Sequence, residues 1–149
     1  MSKIYWFTGL PNQGKTELAK KLHTLLKTER RNWRKSVFHL DEKDFPDLSH
    51  QGDITFQIQT ISEYLVKSEC DVVVSTISPY REDREMFKRE LDSKIEEIYI
   101  DSSRPIKRDY DVDEYEEPLE HFTHIEGDGK GIEDCYNELI NKLISENKI

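Results

Sequence analysis

The feature that most limits how this chain can fold is the segment Gly9-Leu10-Pro11-Asn12-Gln13-Gly14-Lys15-Thr16. It has the form G-x-x-x-x-G-K-T. Residues 3–8 before it are β-branched and aromatic, which predicts a strand, and residues 17–27 after it carry leucine and alanine at helical spacing. Strand, glycine loop and helix in this order are typical of a loop that binds phosphate.

The chemistry of a triphosphate explains why these residue types occur at this spacing. Phosphate oxygens carry several negative charges in a small volume, so consecutive backbone N–H groups must converge on them, and glycine permits that conformation. Lys15 then neutralises the outer phosphates, and the Thr16 hydroxyl ligates Mg²⁺. We therefore predict binding of ATP and Mg²⁺ by residues 9–16.

In the rest of the chain, segments with the pattern of a strand alternate with segments with the spacing of a helix. Further strands are predicted at residues 36–40, 71–77, 95–100 and 122–125, helices at 54–66, 81–91 and 132–144, and mostly loop at 101–121. Alternating strands and helices favour right-handed crossovers and a parallel sheet with ligands at the carboxyl ends of the strands. The sequence thus predicts an α/β fold: a three-layer α/β/α P-loop NTPase of the kinase type, with a mainly parallel sheet of about five strands.

Length and composition narrow the functional classes. With 149 residues and no linker-like stretch, we expect one domain spanning 1–149. The formal charge of −9 repels nucleic-acid backbones, so nucleic acid enters only as an alternative substrate. Cys70 and Cys135 lie too far apart to suggest a zinc site or a disulfide framework. No signal-peptide pattern and no apolar stretch near the roughly 20 residues of a bilayer span is present, so we expect a cytoplasmic protein without a membrane partner.

Several segments, taken in order, resemble the adenylylsulfate kinase (APS kinase) family. They are Tyr5-Trp6-Phe7-Thr8-Gly9-Leu10, Lys15-Thr16, Leu40-Asp41, Ile77-Ser78-Pro79-Tyr80-Arg81-Glu82-Asp83-Arg84-Glu85, Glu97-Ile98-Tyr99-Ile100-Asp101, Arg108-Asp109 and Tyr115-Glu116-Glu117-Pro118. The short phage-type members of the family are the most similar. The resemblance implies transfer of the γ-phosphoryl group of ATP to the 3'-hydroxyl of adenosine 5'-phosphosulfate (APS), a step of sulfate assimilation, by an enzyme that often forms homodimers.

The resemblance also implies roles for individual residues. Asp41 would orient or deprotonate the acceptor hydroxyl or hold a magnesium-bound water, with capping of the next element as the alternative. Ser78, Pro79 and Tyr80 would line the acceptor pocket. Arg81 and Arg84 would bind phosphate or sulfate oxygens, with solvent-facing ion pairs as the alternative. Arg108 would stack on the adenine of ATP.

The chain departs from the family pattern on the acceptor side. The family's Asn-Ile-Arg-Arg appears as Gln57-Ile58-Gln59-Thr60, and its Lys-Gly-Leu-Tyr lid segment is absent before Tyr115. A sulfated nucleotide carries charge that a pocket must pair. Three hypotheses therefore stand: an APS kinase, a P-loop kinase for another hydroxyl acceptor such as a nucleoside, a nucleotide or a modified base in phage DNA, and an ATP-binding protein without catalysis.

Overall fold

The computed structural model describes residues 2–9, 14–29, 36–45, 51–78, 80–101 and 115–149, with the backbone alone at 51–53. In chain order its elements are β1 (Ile4–Thr8), α1 (Lys15–Glu29), β2 (Val37–Asp41), α2 (Gln51–Lys67), β3 (Asp71–Ser75), α3 (Arg81–Leu91), β4 (Ile95–Asp101), β5 (Phe122–Glu126) and α4 (Ile132–Ser145). Short 3-10 helices, Glu42–Asp44 and Asp92–Lys94, follow β2 and α3. Every predicted strand and helix is confirmed, with ends shifted by a few residues.

The strands form one sheet in the order β2-β3-β1-β4-β5. All four neighbouring pairs are parallel, which confirms the predicted parallel sheet. In register, Asp41 lies opposite Ser75, and Thr8 lies opposite Tyr99. The last residues of four strands therefore meet at one edge of the sheet, where a ligand is expected.

Helices cover both faces of this sheet, which explains why β1 and β3 are buried at every position. On one face α1 and α4 pack over a core made of Tyr5, Phe7, Leu18, Ala19, Leu22, Leu26, Val73, Ile98, Ile100, Ile125, Cys135, Leu139 and Leu143. On the other face α2 and α3 cover a core made of Ile4, Trp6, Ile58, Val66, Val72, Val74, Phe87, Leu91 and Ile95. The molecule has the three layers predicted for an α/β/α fold.

The segment after β4 is described only in part. β4 runs through Asp101, and from Tyr115 the chain is irregular until β5 begins at Phe122. This agrees with the loop predicted there, as far as the described residues reach. None of the described helices is long and apolar enough to cross a bilayer.

Candidate active site

Two glycines frame the phosphate loop, and both have backbone conformations that favour glycine. Gly9 follows β1 with a φ of 141°, and Gly14 precedes α1 with a φ of 85°. A Cβ atom on Gly9 would lie 2.6 Å from the carbonyl oxygen of Ile100 in β4, so this position also has no room for a side chain. Conformation thus favours glycine at both predicted positions, and packing also requires it at Gly9.

Lys15 is the first residue of α1, and its side chain folds back over the loop. Its Nζ atom donates a hydrogen bond to the carbonyl oxygen of Gly9 at 3.0 Å, and the residue is only 8% exposed. Burial lowers the pKa of Lys15 to about 8, and the carboxylates of Glu42 and Asp41 oppose this shift. The amine is therefore held next to the loop that would carry the phosphates.

Thr16 and Asp41 form a contact between α1 and the end of β2. The Thr16 hydroxyl donates to Asp41 Oδ2 at 2.8 Å, while Asp41 Oδ1 accepts the backbone N–H of Lys43 at 2.9 Å. Asp41 is buried and is the N-cap of the short helix Glu42–Asp44, so the capping alternative is present together with the contact to the loop helix. One carboxylate thus serves both the fold and the site.

These two side chains fit the predicted magnesium ion in their chemistry. Mg²⁺ prefers oxygen ligands and is usually bound through one or two protein oxygens together with substrate phosphates and waters. A hydroxyl and a carboxylate already in contact at the start of α1 supply such donors. Thr16 would hold the ion directly, as the sequence predicted, and Asp41 lies next to it.

The segment after β3 also reaches this edge. Ser78 is buried, has a positive φ of 43°, and its hydroxyl contacts that of Thr76. The Thr76 hydroxyl accepts a hydrogen bond from the Trp6 indole at 3.2 Å. Tyr80 is 55% exposed and begins the approach to α3. Ser78 and Tyr80 lie where an acceptor pocket was predicted, but the Ser78 hydroxyl is already engaged with its neighbour.

Arg84 neither faces an acceptor nor forms an ion pair at the solvent-facing surface, the two roles that the sequence analysis considered. It is fully buried, its Nη1 atom donates to the carbonyl oxygen of Ser78 at 2.6 Å, and its Nε atom pairs with Glu97 Oε2 at 3.0 Å. Its Nη2 atom contacts the carbonyl oxygen of Glu116. The prediction that Arg84 binds acceptor oxygens is therefore wrong for this conformation, because helix α3 turns the guanidinium inward against β4.

Arg81, one helical turn before Arg84, is partly exposed and also binds groups of the chain itself. Its backbone N–H donates to Glu116 Oε1 at 2.9 Å, and its Nε atom donates to the carbonyl oxygen of Glu117 at 2.6 Å. The two arginines together hold residues 115–117 against the start of α3. Arg81 remains a predicted acceptor ligand, but in this structure its side chain binds the chain itself.

The sequence analysis gave no role to Glu97, whose carboxylate is buried and lies at the centre of a network of polar side chains. Besides Arg84, it pairs with Lys88 Nζ at 2.8 Å and accepts a hydrogen bond from the Thr8 hydroxyl at 3.0 Å. The Thr8 hydroxyl also lies 2.9 Å from the Tyr115 hydroxyl. This Glu97 network, made of Thr8, Arg84, Lys88, Glu97 and Tyr115, joins the residue before Gly9 to the segment that leads into β5. A glutamate within the apolar run of β4 was the available signal.

Aromatic contacts reinforce this network. The Tyr115 ring stacks on Tyr99 at 5.5 Å between centroids, and the guanidinium carbon of Arg84 lies 4.7 Å from the Tyr115 centroid. Burial raises the pKa of both tyrosines, that of Tyr99 to about 12, so both remain protonated donors at neutral pH. The Thr8–Tyr115 contact is thus a neutral hydrogen bond.

The remaining predicted site residues lie outside the described part of the chain: Leu10, Pro11, Asn12, Gln13, Pro79 and Arg108. Among the described residues, the fold brings Gly9, Gly14, Lys15, Thr16 and Asp41 together at the carboxyl edge of the sheet. That arrangement can bind a triphosphate with a divalent ion and present its terminal phosphoryl group to an acceptor from the side of residues 76–78.

Comparisons with known proteins agree with this geometry. The family model described as adenylylsulphate kinase matches residues 1–139. An adenylyl-sulfate kinase of Chloroflexus aurantiacus is 27% identical over 178 residues, covering 94% of this chain and 88% of that protein.

Solved structures show the same fold. The hexameric APS kinase from Thiobacillus denitrificans gives a TM-score of 0.77 at 21% identity, over 100% of this chain and 30% of that one. The Mycobacterium tuberculosis APS kinase in complex with AMPPNP and APS gives a TM-score of 0.69 at 19% identity, over 96% and 98%. Since the family model spans nearly the whole chain, the protein belongs to the adenylylsulphate kinase family, whose members are ATP-dependent kinases.

Proposed function

We propose that this kinase transfers the γ-phosphoryl group of ATP to the ribose 3'-hydroxyl of APS. The observation that carries the proposal is the Thr16–Asp41 contact of 2.8 Å beside buried Lys15, at the carboxyl edge of a sheet in a chain of this family. The related Mycobacterium enzyme was solved with AMPPNP and APS bound, which supports this donor and acceptor.

Each residue of the loop has a defined part in the proposed reaction. Lys15 exchanges the Gly9 carbonyl for phosphate oxygens and offsets the charge that develops on the transferred group. Thr16 would hold Mg²⁺, which would supply positive charge next to the phosphates of ATP. Backbone N–H groups at the start of α1 add to this positive field.

We assign Asp41 to the metal side of the site rather than to proton removal. Both of its carboxylate oxygens are engaged, one with Thr16 and one with the backbone N–H of Lys43. A carboxylate held in this way is well placed to fix the Thr16 hydroxyl and to accept hydrogen bonds from waters around the ion. It has less freedom to turn toward an acceptor hydroxyl.

The decisive experiment measures transfer of label from [γ-³²P]ATP to APS in the presence of Mg²⁺. Controls without acceptor, with a nucleoside, and with hydroxymethylated DNA run in parallel. We expect labelled 3'-phosphoadenylylsulfate, and no transfer by Lys15→Ala, whose fold is retained because the side chain acts on bound phosphate. Label in another acceptor alone, or only free phosphate, would overturn the APS assignment while leaving ATP binding by the phosphate loop in place.

The biological setting follows from the proposal. A cytoplasmic enzyme of sulfate assimilation, with Mg²⁺ as cofactor and a phage-type origin, remains our expectation. We also expect a homodimer, which sedimentation equilibrium of the purified protein would test. A monomeric mass across the micromolar range would contradict that expectation.

A further inference from the structure

A narrow cleft lies between α2 and the sheet, on the face opposite α1. The side chains along it are Trp6, Thr55, Ile58, Gln59, Ser62, Val74, Thr76, Ser78 and Phe87. Its inner end is formed by Thr76 and Ser78, just beyond Ser75, the residue paired in register with Asp41. This end of the cleft therefore lies near the carboxyl edge of the sheet, where the phosphate loop also lies.

Two polar atoms in this cleft have no hydrogen-bond partner among the residues that the structure describes. They are Thr55 Oγ1 and Gln59 Nε2, and both are shielded from solvent. Thr55 as a whole is 7% exposed. Buried polar groups are nearly always paired, and an exception calls for an explanation.

Neighbouring polar groups do have hydrogen-bond partners within the fold. Ser62 donates to the carbonyl oxygen of Ile58 at 2.7 Å, and the Trp6 indole donates to Thr76 at 3.2 Å. Further out on the same helix, the Thr60 hydroxyl donates to the carbonyl oxygen of Phe56 at 2.9 Å. Thr55 and Gln59 are thus set apart from otherwise well-paired surroundings. They lie one helical turn apart, on the face of α2 toward the cleft.

The charge of the cleft limits what could pair with them. No charged side chain occurs among the described residues along it. The nearest guanidinium, that of Arg84, is already bound to Ser78 and Glu97. An anion placed there would lack a partner charge, which is costly in a buried site. A hydroxyl or carbonyl group, in contrast, matches one amide donor and one hydroxyl.

We propose that Thr55 and Gln59 form an acceptor subsite that binds an uncharged polar group of the acceptor, a hydroxyl or carbonyl of its nucleoside part, rather than its phosphate or sulfate. The ligand-free structure shows this subsite closed, and binding requires α2 to move slightly away from β3. This rests on the proposed function for the identity of the acceptor. It adds which residues bind the acceptor and which class of chemical group on the acceptor they recognise.

The proposal predicts an unusual combination of effects. A residue that supports only the fold loses stability when it is changed. Replacing an unpartnered buried polar group by an apolar group of similar shape is neutral or stabilising. Thr55→Val and Gln59→Leu should therefore raise the melting temperature by about 1–4 °C and at the same time weaken acceptor binding roughly three- to tenfold. Tyr64→Phe and Lys67→Met, at exposed positions of the same helix outside residues 57–60, are the matched controls.

The test is calorimetric binding of two probes, APS and adenosine, to protein saturated with AMPPNP and Mg²⁺. Because adenosine lacks the phosphosulfate, a group that contacts the nucleoside part should lower both affinities by the same factor in Thr55→Val and Gln59→Leu. The control variants should bind both probes as the wild type does.

Each other result is informative. An affinity loss for APS alone would mean that these residues read the phosphosulfate and would overturn the proposal. Unchanged affinities, or a lower melting temperature in both variants, would overturn it too, as would failure of the wild type to bind either probe. Equal losses for both probes, together with no labelled product from APS, would keep the subsite and overturn only the proposed function.

Discussion

Removing the buried charge of Glu97 should destabilise the protein far more than removing an exposed one. The Glu97 side chain is fully buried and faces Arg84 at 3.0 Å and Lys88 at 2.8 Å. Glu97→Gln keeps the shape and still offers an oxygen to Thr8, but it leaves the fully buried guanidinium of Arg84 without its counter-charge. Breaking a buried pair from one side costs about 3–5 kcal/mol, a large part of a typical total of about 5–15 kcal/mol.

Urea unfolding of four variants measures this effect. Glu63→Gln is the control, because Glu63 pairs with Lys67 on the surface of α2, and such exposed pairs contribute about 0–1 kcal/mol. Arg84→Met alone should cost less than Glu97→Gln, because the Glu97 carboxylate still pairs with Lys88 at 2.8 Å. The double variant Arg84→Met/Glu97→Gln should cost less than the sum of the single changes by roughly 1–3 kcal/mol.

Two results would refute this reasoning. If Glu97→Gln lowered the free energy of unfolding by no more than Glu63→Gln does, the buried ion pair would contribute no more to stability than an exposed one. If the two single changes added without coupling, their effects would come from packing and not from the charges.

Three further changes test the phosphate loop. The pKa of Lys15 is about 8 in the folded chain and near 10.5 when unfolded, so the folded state loses its proton at a lower pH than the unfolded state does. The free energy of unfolding should therefore rise with pH between about 8 and 10.5. Lys15→Met should remove that rise, as measured by urea unfolding from pH 7 to 10. Gly9→Ala places a Cβ 2.6 Å from the carbonyl oxygen of Ile100 at a φ of 141° and should destabilise the protein by about 1–3 kcal/mol or more, measured by thermal unfolding; a neutral effect would contradict the close approach. Asp41→Asn should raise the Mg²⁺ concentration needed for half-maximal rate at least about tenfold if Asp41 supports the ion that Thr16 binds, whereas a fall in kcat with unchanged Mg²⁺ dependence would favour a role in proton removal.

The phosphate half of the site could be predicted from the sequence because its determinants are local. Gly9, Gly14, Lys15 and Thr16 lie within one short segment, so the spacing of residue types fixes which groups converge. Asp41 was assigned through the resemblance of Leu40-Asp41 to the family, and its position at the end of a parallel strand places it at the carboxyl edge of the sheet. That it both caps a helix and contacts Thr16 needed the structure.

The acceptor half could not be predicted in the same way. Arg81 and Arg84 stand three residues apart on a charged helix, and the sequence analysis assigned both to the acceptor without using the helical spacing of Arg84 to Phe87 and Leu91. The structure shows Arg84 fully buried and Arg81 at the surface, because Phe87 and Leu91 fix the buried face of α3. Both arginines were therefore assigned to the ligand, whereas in this structure their contacts are to the chain itself.

By itself the sequence determined the order of strands and helices, the parallel sheet and the phosphate loop, since these follow from periodicity and from residue types that are close in the chain. Only the tertiary structure decided how Thr8, Glu97 and Tyr115 meet, and that Thr55 Oγ1 and Gln59 Nε2 have no hydrogen-bond partner among the described residues. The physical reason is that these contacts, or their absence, depend on side chains brought together from positions as many as 107 residues apart. No local preference encodes which buried polar group finds a partner and which one is left for a ligand.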